Sequence, residues 1–318
     1  MIIAALILAV IYAVAAQITL SAALKPSFME ELDAFSEFTE KGYGELVYTD
    51  DIVQEEARQL SETRQWLSEV QWRKLAMESD EGLKLIAAEF AQEDKSAPWV
   101  LMLHGYTGWK EELYKYAYNF YKEGYSVLLP DMKAHGESEG DLIGMGYADI
   151  PDNLKWIDYI NRYYDEPPVI LYGQSMGGAA VVMLTGSPEL PDNVVAAVSD
   201  SAFSDAKTLF KQKLKDWTGL PSLGLFDAAG LLLKLEGGYD LSQASALKFA
   251  GKSSIPTLFI YGSEDSIIPP GDIIRLYDAS SAPDKQKLVV EGAGHIQASD
   301  KAPDMYFDTV FEFLGKYL

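Results

Sequence analysis

Six short apolar runs recur along the chain, and segments with helical apolar spacing separate most of them. The runs cover residues 99–103, 126–130, 169–172, 194–198, 257–261 and 287–290, and each is long enough for one buried strand. Apolar positions three and four residues apart mark the segments 111–122, 150–163, 176–184, 272–279 and 303–314. Strands that alternate with helices predict βαβ units, and therefore a mostly parallel sheet with helices on both faces.

A hairpin and a helix are predicted ahead of these runs. Residues 72–78 and 83–91 flank the turn sequence Ser79-Asp80-Glu81-Gly82, which is typical of two strands joined by a tight turn. The hairpin brings the predicted sheet to eight strands within residues 72–318. Residues 52–70 have apolar side chains at helical spacing, so they predict an amphipathic helix before the hairpin.

Residues 204–254 interrupt the alternation, because no strand pattern occurs between the runs that end at 198 and begin at 257. A structureless loop of this length is improbable in a compact domain, so the interval predicts helices. The segment is rich in apolar residues: Phe210, Trp217, Leu220, Leu223, Leu225, Phe226 and Leu231-Leu232-Leu233. We interpret it as a helical cap whose apolar side chains line an acyl pocket; the alternative is an ordinary helix and connection packed on the core.

The N-terminal segment has no charged side chain from Ile2 to Leu24. About 20 apolar residues suffice to cross a bilayer as a helix, so residues 1–25 predict an uncleaved single-pass membrane anchor. Two alternatives remain open. Ala13-Val14-Ala15 matches a small-residue cleavage site, which would make the segment a signal peptide of a secreted protein, and a buried helix of the folded domain is the other.

The stretch after this segment is acidic. Residues 26–71 predict an acidic linker, carrying Gly42 and Gly44, followed by the helix at 52–70. Lys25 is the only nearby cation, so the positive-inside rule gives almost no indication of membrane orientation. We expect the domain on the extracytoplasmic side of the membrane.

Charge and composition exclude several classes of function. The chain has 26 basic and 48 acidic residues and a net charge of −22, whereas nucleic-acid binding needs a basic face. It has no cysteine, which excludes disulfides and thiolate metal sites, and its three histidines are far apart in sequence. We therefore expect neither a metal ion nor a cofactor.

The sequence Gly173-Gln174-Ser175-Met176-Gly177 follows the apolar run at 169–172 and precedes the segment at 176–184. Strand, G-x-S-x-G and helix form the context in which a serine occupies a strained turn and presents its hydroxyl at the top of a sheet. Gly and Ser are also common turn residues, so the motif alone is weak. In combination with a histidine base and a carboxylate later in the chain, the motif makes Ser175 the candidate nucleophile.

A serine nucleophile needs a base, usually a histidine that a carboxylate orients. His295 is the only histidine after Ser175, and it follows a predicted strand and two glycines. Asp265 follows another strand end and is the favoured acid over Glu264, with Asp200 as the alternative. An isolated aspartate in such a turn is commonly a local cap, but these three positions share one chain order and one sheet edge.

An oxyanion hole is predicted after the run at 99–103. Acyl transfer passes through a tetrahedral oxyanion, which needs fixed N–H donors. The sequence His104-Gly105-Tyr106 places the backbone N–H of Tyr106 there, and Met176 supplies the N–H next to the nucleophile. We expect His104, and His135 in the loop 131–138, to order their loops and to take no part in acid–base chemistry.

By these motifs the chain resembles the α/β-hydrolase superfamily over residues 72–318. The matching segments are His104-Gly105-Tyr106, the 131–138 loop with its His-Gly-Glu-Ser ending, Gly173-Gln174-Ser175-Met176-Gly177-Gly178, Gly262-Ser263-Glu264-Asp265 and Gly294-His295. It is most similar to bacterial membrane-anchored hydrolases of the serine aminopeptidase-like and acyl-CoA thioesterase-like branches. The resemblance implies an α/β-hydrolase fold with a small helical cap. A serine at 175 excludes the haloalkane dehalogenase and epoxide hydrolase branches, which use aspartate there.

Two positions depart from the family pattern. Lys133 stands where relatives often have arginine, which puts the anchoring of the 131–138 loop in doubt. Residues 296–299, directly after His295, are more polar than in many relatives, which puts access for the leaving group in doubt.

These features predict a cofactor-independent serine hydrolase that cleaves carboxylic esters of small molecules through an acyl-enzyme. The same residues would serve a thioesterase, an acyltransferase or an aminopeptidase. For an aminopeptidase we expect an acidic cluster that binds the substrate's amino group, and the candidates are Asp205, Asp216, Asp227 and Glu236. A membrane-tethered binding protein without turnover is the alternative from another class.

Overall fold

The computed structural model describes residues 2–31, 49–218 and 224–318, and an eight-stranded sheet forms its centre. The strands are β1 Arg73–Glu78, β2 Lys84–Phe90, β3 Trp99–Leu103, β4 Ser126–Pro130, β5 Val169–Gln174, β6 Val194–Asp200, β7 Thr257–Gly262 and β8 Lys285–Val290. Their order across the sheet is β1-β2-β4-β3-β5-β6-β7-β8. The pairs β1–β2 and β2–β4 are antiparallel and the others parallel, which confirms the predicted fold class.

Helices cover both faces of this sheet. They are α1 Ile2–Leu24, α2 Pro26–Glu31, α3 Asp50–Glu69, α4 Tyr114–Lys122, α5 Ile150–Tyr164, α6 Met176–Thr185, α7 Ala206–Thr218, α8 Leu225–Glu236, α9 Ala246–Ala250, α10 Pro270–Ala279, α11 Ala298–Lys301 and α12 Pro303–Leu314. Short 3-10 turns occupy Lys110–Leu113 and Leu241–Gln243. The helix predicted at 111–122 thus starts three residues later, because a 3-10 turn precedes it.

Strand β5 shows why the apolar runs become central strands. Every residue of β5 is buried. Val169 and Leu171 pack into one core with α5 and α6, whereas Ile170 and Tyr172 pack into a second core with α4 and α12. Side chains alternate between the two faces of a strand, so a strand with helices on both sides must be apolar at every position.

The interval 204–254 contains α7, α8, the second 3-10 turn and α9. Helix α9 packs against α6 and α10, so it belongs to the layer that covers the sheet. Helices α7 and α8 pack on each other and carry the apolar side chains that the sequence singled out. Of those, Leu220, Leu223 and the side chain of Trp217 lie outside the described residues.

The N-terminal helix α1 packs along α8. Ala16, Leu20 and Leu24 are buried and lie four residues apart, on one helix face, and the carbonyl of Leu24 accepts the N–H of Ile143 (2.9 Å). An apolar helix face can pack on protein as well as on lipid, and sequence does not distinguish the two.

Over the part of the chain that the structure describes, no helix combines the length and the hydropathy needed to cross a bilayer. This finding does not support the membrane-spanning helix predicted for residues 1–25, and attachment of this segment to a membrane stays a prediction. Within the predicted linker, residues 32–48 lie outside the described residues, and α3 covers the helix expected at 52–70.

Candidate active site

Ser175 occupies the tight turn between β5 and α6, with a backbone φ of 54°. A residue other than glycine rarely adopts such an angle, so the turn is strained. Its flanking glycines are needed for space. A Cβ on Gly173 would lie 2.3 Å from the carbonyl oxygen of Gly177, and a Cβ on Gly177 would lie 2.0 Å from that of Leu103. The G-x-S-x-G pattern therefore reflects close packing of the turn against its own helix and against β3.

Ser175, His295 and Asp265 form one chain of hydrogen bonds. The Oγ of Ser175 lies 2.9 Å from the Nε2 of His295, and the Nδ1 of His295 lies 2.7 Å from the Oδ2 of Asp265. The other carboxylate oxygen of Asp265 accepts the backbone N–H groups of Ile267 and Ile268 (2.9 and 2.8 Å). The three residues follow β5, β8 and β7, whose parallel carboxyl ends meet at one edge of the sheet.

Asp200, the alternative acid, lies at the same edge of the sheet, as the last residue of β6. It is fully buried, and its Oδ2 accepts hydrogen bonds from Tyr306 (2.9 Å) and Gln174 (3.3 Å), while its Oδ1 accepts one from Ser201 (2.9 Å). Burial raises the pKa of Asp200 to about 6. The carboxylate that contacts the imidazole of His295 is that of Asp265.

The loop after β3 borders the nucleophile. A Cβ on Gly105 would lie 3.5 Å from the Cβ of Ser175, so the backbone that leads into Tyr106 passes directly beside the serine. Met176 starts helix α6, where backbone N–H groups point away from the helix toward the serine side. The predicted oxyanion donors Tyr106 and Met176 thus belong to two chain segments that border Ser175.

The side chain of Tyr106 contacts two other elements. Its hydroxyl donates a hydrogen bond to the backbone carbonyl of Ala23 in α1 (2.6 Å), and its ring packs edge-on against Phe210 of α7, with centroids 6.0 Å apart. Phe210 in turn stacks on Phe226 of α8 (6.0 Å). Aromatic side chains from the loop, α7 and α8 therefore form a continuous apolar wall near the oxyanion loop.

His104 and His135 join the oxyanion loop to the loop after β4. The Nε2 of His104 accepts the N–H of Met132 (2.9 Å), and that of His135 accepts the N–H of Thr107 (3.2 Å). The Nδ1 atoms face backbone carbonyls, so each ring is a neutral tautomer with one donor and one acceptor. Burial lowers the pKa of both rings, that of His104 to about 3. Both rings hold loops in place.

The loop 131–138 rests on a buried ion pair that sequence analysis missed. The Nζ of Lys110 lies 2.7 Å from Asp131, and both side chains are almost fully buried. Lys133, the departure from the family pattern, instead pairs with Glu81 in the β1–β2 turn (2.8 Å). No local signal in the sequence joins Lys110 to Asp131, because the contact spans two secondary-structure elements.

Each of the four carboxylates proposed for amine binding has a partner of its own within the protein. Asp205 accepts the N–H of Thr208, and Asp216 accepts the side chain of Gln212. Asp227 pairs with Lys207 and Lys211, and Glu236 pairs with Lys25. Among the described residues, these four side chains are therefore engaged by four different sets of partners.

Comparison with known proteins identifies the architecture. The family model described as α/β hydrolase fold matches residues 98–238. The esterase Pf2001 of Pyrococcus furiosus superposes with a TM-score of 0.62 at 21% identity, over 78% of this chain and 93% of the esterase. The chain has the α/β-hydrolase fold. The ferulic-acid-bound Est1E of Butyrivibrio proteoclasticus is another structural neighbour of the chain (TM-score 0.58, 18% identity, 76% and 98% coverage).

Sequence relatives agree with this fold. The chain is 29% identical to YqkD of Bacillus subtilis over 216 residues, which covers 68% of this chain and 70% of YqkD. It is 23% identical to a thermostable monoacylglycerol lipase of a Bacillus species over 249 residues, covering 69% and 90%. The match to YfhR of Escherichia coli is 27% identical and spans 61% of either chain.

Proposed function

We propose that the protein is a serine hydrolase that cleaves carboxylic esters of small molecules through an acyl-enzyme. The observation that carries the proposal is the hydrogen-bonded chain from Ser175 Oγ to His295 Nε2 (2.9 Å) and from His295 Nδ1 to Asp265 Oδ2 (2.7 Å). Both distances are within hydrogen-bond reach, which is the geometric condition for a nucleophile and its base.

In the first half of the proposed reaction, Ser175 attacks the ester carbonyl. Asp265 accepts a hydrogen bond from the Nδ1–H of His295, which leaves the Nε2 lone pair directed at the serine hydroxyl. His295 takes the hydroxyl proton as the bond to the carbonyl carbon forms. The N–H groups of Tyr106 and Met176 bind the oxyanion, and losing one such donor typically costs about 3 kcal/mol of transition-state stabilisation.

In the second half the tetrahedral intermediate collapses. His295 returns its proton to the departing alkoxide, and the alcohol leaves while the acyl group stays on Ser175. A water molecule then attacks the acyl-enzyme with His295 as the base, which releases the carboxylic acid and restores the serine hydroxyl.

Two observations favour an ester over the other acyl substrates. The wall formed by Tyr106, Phe210 and Phe226 suits an apolar acyl or aromatic acid group. Relatives include a monoacylglycerol lipase, and structural neighbours include esterases. An aminopeptidase is disfavoured, because the carboxylates Asp205, Asp216, Asp227 and Glu236 are each already engaged by another group of the protein. Thioesterase or acyltransferase activity with the same three residues is the second candidate.

A fluorophosphonate probe tests the proposal independently of substrate. The wild-type protein should be labelled covalently, and Ser175→Ala should not. Ser68→Ala, which changes an exposed serine of α3, is the matched control and should be labelled like wild type. A folded wild type that is not labelled would refute the proposal and favour a binding protein without turnover.

Turnover assays separate the substrate classes. We expect hydrolysis of p-nitrophenyl esters in a chain-length series, and less activity on aminoacyl anilides and acyl-CoA. Asp265→Asn should lower kcat on the best ester by about 10⁴-fold, because the histidine then loses its orienting carboxylate. Turnover of anilides without turnover of any ester would overturn the ester assignment.

We also propose that residues 1–25 attach the protein to a cell membrane with the domain on the extracytoplasmic side. The absence of charged side chains from Ile2 to Leu24 supports it. Membrane fractionation of the full chain and of a variant lacking residues 1–25 tests it, with cleavage and secretion as the alternative. A full chain that appears only in the soluble cell fraction would contradict both.

A further inference from the structure

Asp200, the last residue of β6, and Ser201, the residue after it, contact both chain segments that carry the reacting groups. The backbone carbonyl of Asp200 accepts the N–H of Ser175 (2.8 Å). The side-chain hydroxyl of Ser201 accepts the N–H of Ile296 (3.3 Å), the residue after His295. Asp200 and Ser201 therefore connect the turn that holds the nucleophile with the loop that holds the base.

Three residues with a strained backbone meet at the same place. Ser175, Ser201 and Ile296 have φ angles of 54°, 53° and 52°, in the left-handed region that favours glycine. For a β-branched residue such as Ile296 this angle is a genuine outlier. Strained angles persist only where surrounding contacts over-determine them, and they collect at functional sites. The hydrogen bond from Ile296 to Ser201 is one contact that fixes the strained backbone beside His295.

The carboxylate of Asp200 sets the direction of the Ser201 hydroxyl. The Oδ1 of Asp200 accepts a hydrogen bond from the Ser201 hydroxyl (2.9 Å), so the lone pairs of the Ser201 oxygen are available to the Ile296 N–H. The Oδ2 atom is held by Gln174 and by Tyr306, whose hydroxyl also bonds that of Tyr172 (2.8 Å). All these side chains are buried, so water does not compete for the bonds.

We propose that Ser201, oriented by Asp200, is a positioning residue that fixes the His295 loop relative to Ser175. This inference rests on the proposed serine-hydrolase function. Errors of about 1 Å in the placement of a catalytic group can lower a rate about 100-fold, so one hydrogen bond at the loop backbone is enough to affect turnover.

Two substitutions of Ser201 separate its hydroxyl from its backbone conformation. Ser201→Ala and Ser201→Gly both remove the hydrogen bond to Ile296, but glycine adopts a φ of 53° without strain. We expect kcat on the best p-nitrophenyl ester to fall about 10-fold or more in both variants, with KM within about twofold of wild type. The Gly variant should be at least as stable as the Ala variant, which separates loss of activity from loss of folding.

Ser199→Ala is the matched control. The Ser199 hydroxyl is equally buried on β6, but it donates to the carbonyl of Gly178 (3.0 Å). This variant should keep the wild-type kcat. Asp200→Asn retains an acceptor for the Ser201 hydroxyl and should therefore lose less activity than Asp200→Ala.

The rate of inactivation by a fluorophosphonate provides a second readout, because it reports activation of Ser175 without a natural substrate. It should fall in parallel with kcat in both Ser201 variants. Wild-type kcat and inactivation rate in Ser201→Gly would overturn the positioning role while leaving the serine hydrolase intact. Absence of labelling in the wild type would instead refute the proposed function itself.

Discussion

The buried carboxyl of Asp149 should make the stability of this protein fall as the pH rises. Asp149 lies at the start of α5 with 1% of its surface exposed. Its Oδ2 accepts the N–H of Gly146 (2.8 Å), whereas its Oδ1 has no hydrogen-bond partner among the described residues. Burial raises the pKa of Asp149 from its ordinary value of 3.8 to about 6. The charged groups that act on it are Lys133, which favours ionisation, and Asp152 and Glu81, which oppose it.

The magnitude follows from proton linkage. An unfolded Asp149 loses its proton near pH 3.8, whereas the folded one keeps it until about pH 6, because the raised pKa favours the neutral form. Between these values the folded state binds more protons, so stability falls with rising pH. The full loss is about 3 kcal/mol, and about half of it, about 1.5 kcal/mol, falls between pH 5 and pH 8.

Asp149→Asn tests this reasoning, because an amide of similar shape does not ionise. Between pH 5 and pH 8, wild type should lose about 1.5 kcal/mol more unfolding free energy than the variant, measured by urea denaturation at each pH. Any constant cost of the unpaired amide cancels in this comparison. Asp158→Asn, an exposed change on the same helix, controls for the loss of one charge. Stability curves of wild type and Asp149→Asn that run parallel with pH would refute the buried-carboxyl argument.

Three further substitutions test local packing and the support of the oxyanion loop. Gly177→Ala should destabilise the protein by about 1–3 kcal/mol and abolish ester turnover, because its Cβ would lie 2.0 Å from the Leu103 carbonyl; thermal unfolding and esterase assays measure both effects. Gly230→Ala in α8, whose Cβ would meet nothing within 4 Å, should instead stabilise the helix by about 1 kcal/mol. Tyr106→Phe removes the hydrogen bond to Ala23 and should lower kcat several-fold with KM nearly unchanged in steady-state assays; an unchanged kcat would show that α1 does not support the oxyanion loop.

Local sequence patterns were enough to predict the strands and most helices. The residues of β5 are apolar at consecutive positions because helices cover both faces of the strand, and that requirement is visible in a single run of sequence. The motif around Ser175 is equally local, since its glycines are required by close contacts within the turn and with the adjacent strand. The chain order of Ser175, Asp265 and His295 at strand ends was likewise available without coordinates.

Contacts between distant segments were decided only by the tertiary structure. Asp200 and Asp265 both follow strands in the sequence, and only packing shows that Asp265 contacts the imidazole while Asp200 binds Tyr306 from α12. The role inferred for Ser201 depends on a bond across 95 positions, for which the sequence carries no signal.

The N-terminal helix illustrates the same division. Its apolar composition predicts a helix that avoids water, but it does not state whether lipid or protein covers that helix. In the structure Ala16, Leu20 and Leu24 are buried where α1 packs along α8. Periodicity is a property of neighbouring residues, so the sequence by itself determined the elements, their order and the candidate reacting groups. Which surfaces meet depends on the shape and burial of the whole chain, so the partners of α1, of the cap carboxylates and of Asp200 followed only from the tertiary structure.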